Sequence, residues 1–125
     1  MHLQESGEMY LESIYMLTKT KSSVRSIDIV EYMNYSKPSV SRAVKLLKNG
    51  GYIDIDEQGY ITLTSLGKEV SEKIVERHTV ITKFLITLGV DEKTSAEDAC
   101  KFEHVISDKS FNAIKKFVEN LVKWE

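Results

Sequence analysis

SKPSVSRAVKLLKNGGYIDIDEQGYITL, running from Ser36 to Leu63, decides the fold. Ser36 puts a side-chain oxygen where a helix would start, and Pro38 falls in the first turn, where a missing N–H costs little. Val40, Val44 and Leu47, joined by Ala43 and Leu46, recur as the buried stripe of a helix that runs to Asn49. Gly50-Gly51 ends that helix as a glycine C-cap does. Tyr52-Ile53-Asp54-Ile55-Asp56 then alternates, Glu57-Gln58-Gly59 turns, and Tyr60-Ile61-Thr62-Leu63 alternates back, which predicts a β-hairpin.

Upstream, two more helices precede this unit. Residues 8–20 carry Tyr10, Leu11, Ile14, Leu17 and Thr18 at helical spacing, with Met9 and Met16 beside them. Glu5, Glu8 and Glu12 place acid near the start, where it suits the helix dipole. Residues 19–24 form a polar connector. Ser26 reads as the N-cap of a short second helix to about Asn34, with Asp28 in its first turn and Ile27, Ile29, Val30, Tyr32 and Met33 as its apolar residues. A tight turn at Asn34-Tyr35 leads into the third helix. Helix, short turn and helix make a helix-turn-helix, and three helices followed by a small hairpin make a winged helix.

The third helix is also chemically distinct. Between Tyr32 and Ile53 stand Lys37, Arg42, Lys45 and Lys48 with no acid among them, in a chain whose formal net charge is -2. Ser36, Ser39 and Ser41 add hydroxyls near the helix N-terminus, where phosphates and base edges are reached. A charge run is most often a solvated face, but the absence of any Asp or Glu favours an acidic partner. The candidate DNA contacts are Ser26, Ser36, Lys37, Pro38, Ser39, Ser41, Arg42, Lys45 and Lys48.

Downstream, Thr64 or Ser65 caps a long helix to about Leu88, lined by Leu66, Val70, Ile74, Ile81, Phe84, Leu85 and Leu88, with Gly67 permitting close packing and His78 at mid-helix. Gly89 closes it. A further helix follows a loop at Asp91 to Ser95 and carries the single cysteine in Ala99-Cys100-Lys101-Phe102-Glu103-His104. Cys100, Glu103 and His104 stand at i, i+3 and i+4, on one helical face. Thiolate, carboxylate and imidazole together suit a borderline-soft divalent metal. The plainer alternative is a buried cysteine beside an exposed Glu and His, since free Cys usually packs as a small hydrophobe. Phe102, Val105 and Ile106 form a second apolar surface. The last helix presents Phe111, Ile114, Val118, Leu121 and Val122, broadened by Phe117 and Trp124. So much aromatic surface on a short terminal helix predicts a subunit interface.

Composition narrows the function classes. At 125 residues and 42% hydrophobic, the chain has core enough for one or two compact units. One cysteine excludes an intramolecular disulfide framework and suits the cytoplasm. Met1 to Ser6 lacks a basic region followed by an apolar core, so no signal peptide is expected, and no apolar run approaches a membrane span. The expected architecture is mostly α with a small β-hairpin wing. A winged helix-turn-helix DNA-binding domain occupies residues 1–63. The linking helix and a helical metal-binding and dimerisation domain occupy residues 64–125.

With these elements placed, the chain resembles the diphtheria-toxin-repressor family of metal-dependent transcriptional regulators, in a short form without the SH3-like domain. The matching motifs are Glu8-Met9-Tyr10-Leu11, Ser36-x-Pro38-Ser39-Val40-Ser41, Leu63-Thr64-x-x-Gly67 and Cys100-x-x-Glu103-His104-Val105-x-Ser107-Asp108. The resemblance implies a homodimer that binds a palindromic operator when Fe(II) or Mn(II) is bound, other divalent transition metals substituting, and that represses metal-uptake genes. It implies Met9, Cys100, Glu103 and His104 as ligands of the iron-responsive type, and Glu12 and His78 as ligands of the manganese-responsive type. Thr82 and Ala96 stand where the iron type's ancillary site would have a Glu and a second His, so the chain is a hybrid of the two. A metal-independent winged-helix regulator is the alternative. An enzyme built on Cys100 and His104 is not expected, because no orienting third group, glycine-rich loop or oxyanion-hole motif accompanies them.

Overall fold

The computed structural model describes residues 3–122, and for Val122 the backbone alone. The sequence readings that fall on the Met1-His2 end, on the Val122 side chain and on Trp124 therefore lie outside the described residues. The element order is α1 (Glu5–Thr20), α2 (Ser26–Met33), α3 (Lys37–Asn49), β1 (Ile53–Ile55), β2 (Ile61–Leu63), α4 (Ser65–Thr87), α5 (Glu92–Phe102) and α6 (Asp108–Val122). It is the expected winged helix followed by a helical segment. Two compact units divide within α4, the first ending at Glu72 and the second beginning at Lys73. The first turns of α4 thus pack with the wing, whereas the sequence reading breaks the chain at residues 63 and 64.

The first unit is built around Leu11, Ile14, Ile29, Val40, Leu47 and Ile53, all shielded from solvent. Most of its expected elements form where the periodicity places them. Ser36 accepts from the Ser39 N–H at 3.3 Å and caps α3 with Pro38 in its first turn. Asn34 takes the left-handed backbone (φ 58°, ψ 41°) that turns α2 into α3. Two details differ from the reading. The N-cap of α2 is Arg25 rather than Ser26: Asp28 reaches back to accept from the Arg25 N–H at 2.8 Å, so the carboxylate replaces the serine hydroxyl as the capping group. Leu46 is not part of the buried stripe of α3; it is 71% exposed, because Val40, Val44 and Leu47 already fill the inward face. Ile27 and Tyr32 of α2 and Leu66 of α4 are likewise exposed.

The hairpin pairs Ile53 with Leu63, Asp54 with Thr62 and Ile55 with Ile61. Asp56 sets its turn by accepting from the N–H groups of Gln58 and Tyr60 at 3.0 and 2.8 Å, and Gly59 supplies the positive φ of 85°. A third edge was not legible in the polar connector: Val24 bridges Ile61, whose N–H donates to the Val24 carbonyl at 2.7 Å. The wing is anchored to α4 by Thr64, which donates to the Gly51 carbonyl at 2.6 Å and accepts from the Gly67 N–H at 3.1 Å. Gly67 is required there, since a Cβ would lie 1.9 Å from the Tyr52 carbonyl oxygen.

The second unit holds Ile81, Ala99 and Phe111 at its centre, with Val80, Leu85 and Ile106 around them. Phe84 and Phe117 meet edge to face, centroids 5.9 Å apart. Asp91 caps α5 by accepting from the Thr94 N–H at 2.9 Å. Leu88, Phe102, Val105, Phe117 and Leu121 remain exposed, so the apolar stripes of the sequence reading are only partly covered within the chain. No helix among the described residues is long and apolar enough to cross a membrane.

Candidate metal centre and nucleic-acid interface

The candidate ligands fall in both units. In the first, Met9 and Glu12 stand three apart on α1, both half-buried, and the Met9 carbonyl accepts from Ser13 Oγ at 2.9 Å. In the second, His78 lies on α4, Cys100 in the last turn of α5, and Glu103 and His104 just beyond it. The helix stops at Phe102, short of the expected continuation through His104. Glu103 is its C-cap, still near helical backbone (φ −60°, ψ −27°), with its N–H on the Ala99 carbonyl at 2.9 Å.

Glu103 is 1% exposed, a carboxylate that desolvation would penalise heavily if nothing compensated it. Two imidazoles face it. His78 Nδ1 lies 3.0 Å from Oε2, and His104 Nε2, on a side chain 1% exposed, lies 3.2 Å from Oε1. The Oε1 contact lacks hydrogen-bond alignment, so that buried oxygen keeps accepting capacity. Cys100 is exposed while Glu103 and the His104 side chain are buried, the reverse of the plainer reading of a buried cysteine beside an exposed Glu and His. A buried carboxylate set between two imidazoles, with one of its oxygens keeping open accepting capacity, is a donor set that fits a divalent cation of the first transition row.

Sequence reasoning missed Arg77. Its Nη1 donates to the carbonyls of Glu103 (3.1 Å) and Ile106 (2.8 Å), its Nη2 meets the Asp108 carboxylate, and its guanidinium lies 5.3 Å over the Phe111 ring. Its position directly before His78 was the available signal. Thr82, where an ancillary ligand was noted as missing, donates to the His78 carbonyl at 2.7 Å.

On the first unit, Ser36, Lys37, Pro38, Ser41, Arg42, Lys45 and Lys48 are all exposed, with Ser39 and Ser26 half-buried. Ser36 Oγ also donates to Ser39 Oγ at 2.9 Å, which orders the hydroxyls at the start of α3. Tyr10 packs edge to face on Tyr35, and burial lifts its phenol above the ordinary 10.0, Tyr35 adding to the rise and Arg42 opposing it. A separate open cleft of about 760 Å³ is lined by residues of α1, the connector, the wing and Lys68; none of the candidate DNA or metal residues lines it.

Fold and donor set together describe a class: a winged helix with a basic third helix, followed by a helical unit whose buried donors fit a divalent metal. Residues 2–63 match the model of the iron-dependent repressor N-terminal DNA-binding domain, and residues 64–123 match that of the iron-dependent repressor metal-binding and dimerisation domain. The chain belongs to the iron-dependent repressor family, whose members are metal-dependent transcriptional regulators and not enzymes. It is 36% identical over 119 residues to an uncharacterized HTH-type transcriptional regulator of Methanocaldococcus jannaschii, covering 94% of this chain and 95% of that one. It is 34% identical over 114 residues to the HTH-type transcriptional regulator MntR of Bacillus subtilis, covering 91% and 80%. Among solved structures, the manganese regulator SloR superposes with a TM-score of 0.79 at 29% identity, covering 95% of this chain and 55% of that one. The chain thus spans about half the length of that structure. A hypothetical protein from Sulfolobus solfataricus shares the fold over 93% of this chain and 89% of its own, with a TM-score of 0.76 at 21% identity.

Proposed function

We propose that this chain acts as a cytoplasmic homodimeric repressor that binds a palindromic operator when Fe(II) or Mn(II) is bound, with Met9, Cys100, Glu103 and His104 as candidate ligands of one metal and Glu12 and His78 as candidate ligands of a second. The carrying observation is the buried Glu103 carboxylate between the His78 and His104 imidazoles. When bound, the metal supplies the positive charge that the buried carboxylate needs. Glu103 and His104 offer oxygen and nitrogen, while Met9 and Cys100 add sulfur from α1 and α5. Metal binding favours one state of the dimer, in which the recognition helices α3 match operator half-sites ~34 Å apart. Metal and DNA then each raise the other's affinity. Arg42 and Ser39 read bases, while Lys45 and Lys48 hold phosphates. The ligands must shed protons to bind, so metal affinity falls at low pH.

An anaerobic DNA-binding titration with a metal series, using an operator selected from random duplexes, tests this. Operator affinity should require metal, and Fe(II) should activate at lower free concentration than Mn(II), because the two sulfurs favour the later metal. The double variant Met9→Asp, Cys100→Glu should narrow or reverse that order. Arg42→Ala should cost roughly 1–3 kcal/mol on the selected operator, whereas Lys45→Ala should weaken all sequences evenly and flatten the salt dependence. Metal-independent operator binding would instead support the plain winged-helix regulator.

A further inference from the structure

Arg77 is a mostly buried cation, 17% exposed, that touches the ligand-bearing turn from behind. α5 ends at Phe102, and the carbonyls of Glu103 and Ile106 then lie past the helix with no following turn to supply their donors. Arg77 fills that need with one nitrogen, at 3.1 and 2.8 Å. Its other nitrogen binds the Asp108 carboxylate, so one planar group fixes both ends of the turn over residues 103–108. Its charge also meets the negative end of the α5 dipole. The next residue on α4, His78, contacts the Glu103 carboxylate at 3.0 Å. Consecutive residues of one helix therefore hold Glu103 from two directions, Arg77 by its carbonyl and His78 by its side chain.

We propose that Arg77 is a positioning residue of the metal centre, which fixes the 103–108 turn so that Glu103 and His104 are presented together in the metal-free protein. The inference rests on the metal-centre reading above. A lysine cannot do the same work, since a single ammonium cannot span two carbonyls and a carboxylate in one plane.

The test uses the full-length chain with Co(II) and Mn(II) as probes. Arg77→Lys should raise the dissociation constant for both ions about 10- to 100-fold, the range found when partners that orient ligands are removed. The visible absorption of bound Co(II) should shift, reporting altered ligand geometry. Val118→Ala, a core truncation in α6 away from the turn, serves as the stability control. It should lower the metal-free urea midpoint by as much or more while leaving metal affinity and the Co(II) spectrum unchanged. Asp108→Asn, which removes one anchor of the guanidinium, should show the same shift at smaller size and replaces Arg77→Lys if that variant does not fold. Wild-type affinity and spectrum in the folded Arg77 and Asp108 variants overturn the role. An equal loss of affinity in Val118→Ala overturns it too. A wild-type chain that binds neither ion overturns the metal centre and this role with it, so the two failures are distinguishable.

Discussion

The two units reach stability by different routes. The first closes a continuous apolar core, Leu11 and Ile14 from α1 meeting Ile29, Val40, Leu47 and Ile53. The second buries few apolar side chains fully, leaves Leu88, Phe102, Val105 and Phe117 in solvent, and places a carboxylate at its interior. Hydrophobic burial needs no partner, whereas a buried carboxylate and an uncovered apolar face each do. The N-terminal unit therefore has its own reasons to fold. The C-terminal unit, which matches a metal-binding and dimerisation domain, is organised for completion from outside.

In folding stability, the largest contrast is expected at Gly67. Gly67→Val puts a side chain into the Tyr52 carbonyl and should cost about 4 kcal/mol or more, read as loss of the first unit's urea transition. Next comes Ile14→Ala, which should cost roughly 2–5 kcal/mol by opening a cavity in a fully buried site, measured from the same transition. The matching change in the second unit should behave oppositely. Glu103→Gln should leave metal-free stability within about 1 kcal/mol of wild type, because the isosteric amide removes the desolvated charge and still offers the two imidazoles a hydrogen-bonding group. The same variant should lose measurable Mn(II) binding by calorimetry. A metal-free collapse in Glu103→Gln would show that the carboxylate charge itself holds the second unit together and would erase the contrast.

The smallest effect concerns pH. The Lys21 ammonium at 2.9 Å, followed by the Arg25 N–H, holds the Asp28 carboxyl below its ordinary range. A depressed carboxyl stabilises the fold above its unfolded pKa, about 4, and that contribution is lost as pH falls through the lower folded value. For a pair this close to solvent it should amount to about 0.5 kcal/mol. The stability difference between wild type and Asp28→Asn at pH 7 should shrink by that amount at pH 2. A difference that does not change with pH would show that the N-cap hydrogen bond works without the charge.

The sequence by itself determined the order of elements and the class of protein. Periodicity, the Ser36 cap, Pro38, the glycines and the alternating hairpin are local signals, and local signals are readable because they act within one or two turns of chain. The motif residues of the second unit were legible for the same reason: Cys100, Glu103 and His104 are close in sequence. Tertiary structure alone decided which of them is buried. The i, i+3, i+4 spacing predicts one shared face, but Cys100 is exposed while Glu103 and the His104 side chain are buried. It also decided that Leu46 faces solvent, that Val24 joins the wing and that Arg77 holds the turn from 26 residues away. Each of these depends on which groups from distant elements compete for the same space or the same carbonyl, and no local pattern encodes that competition.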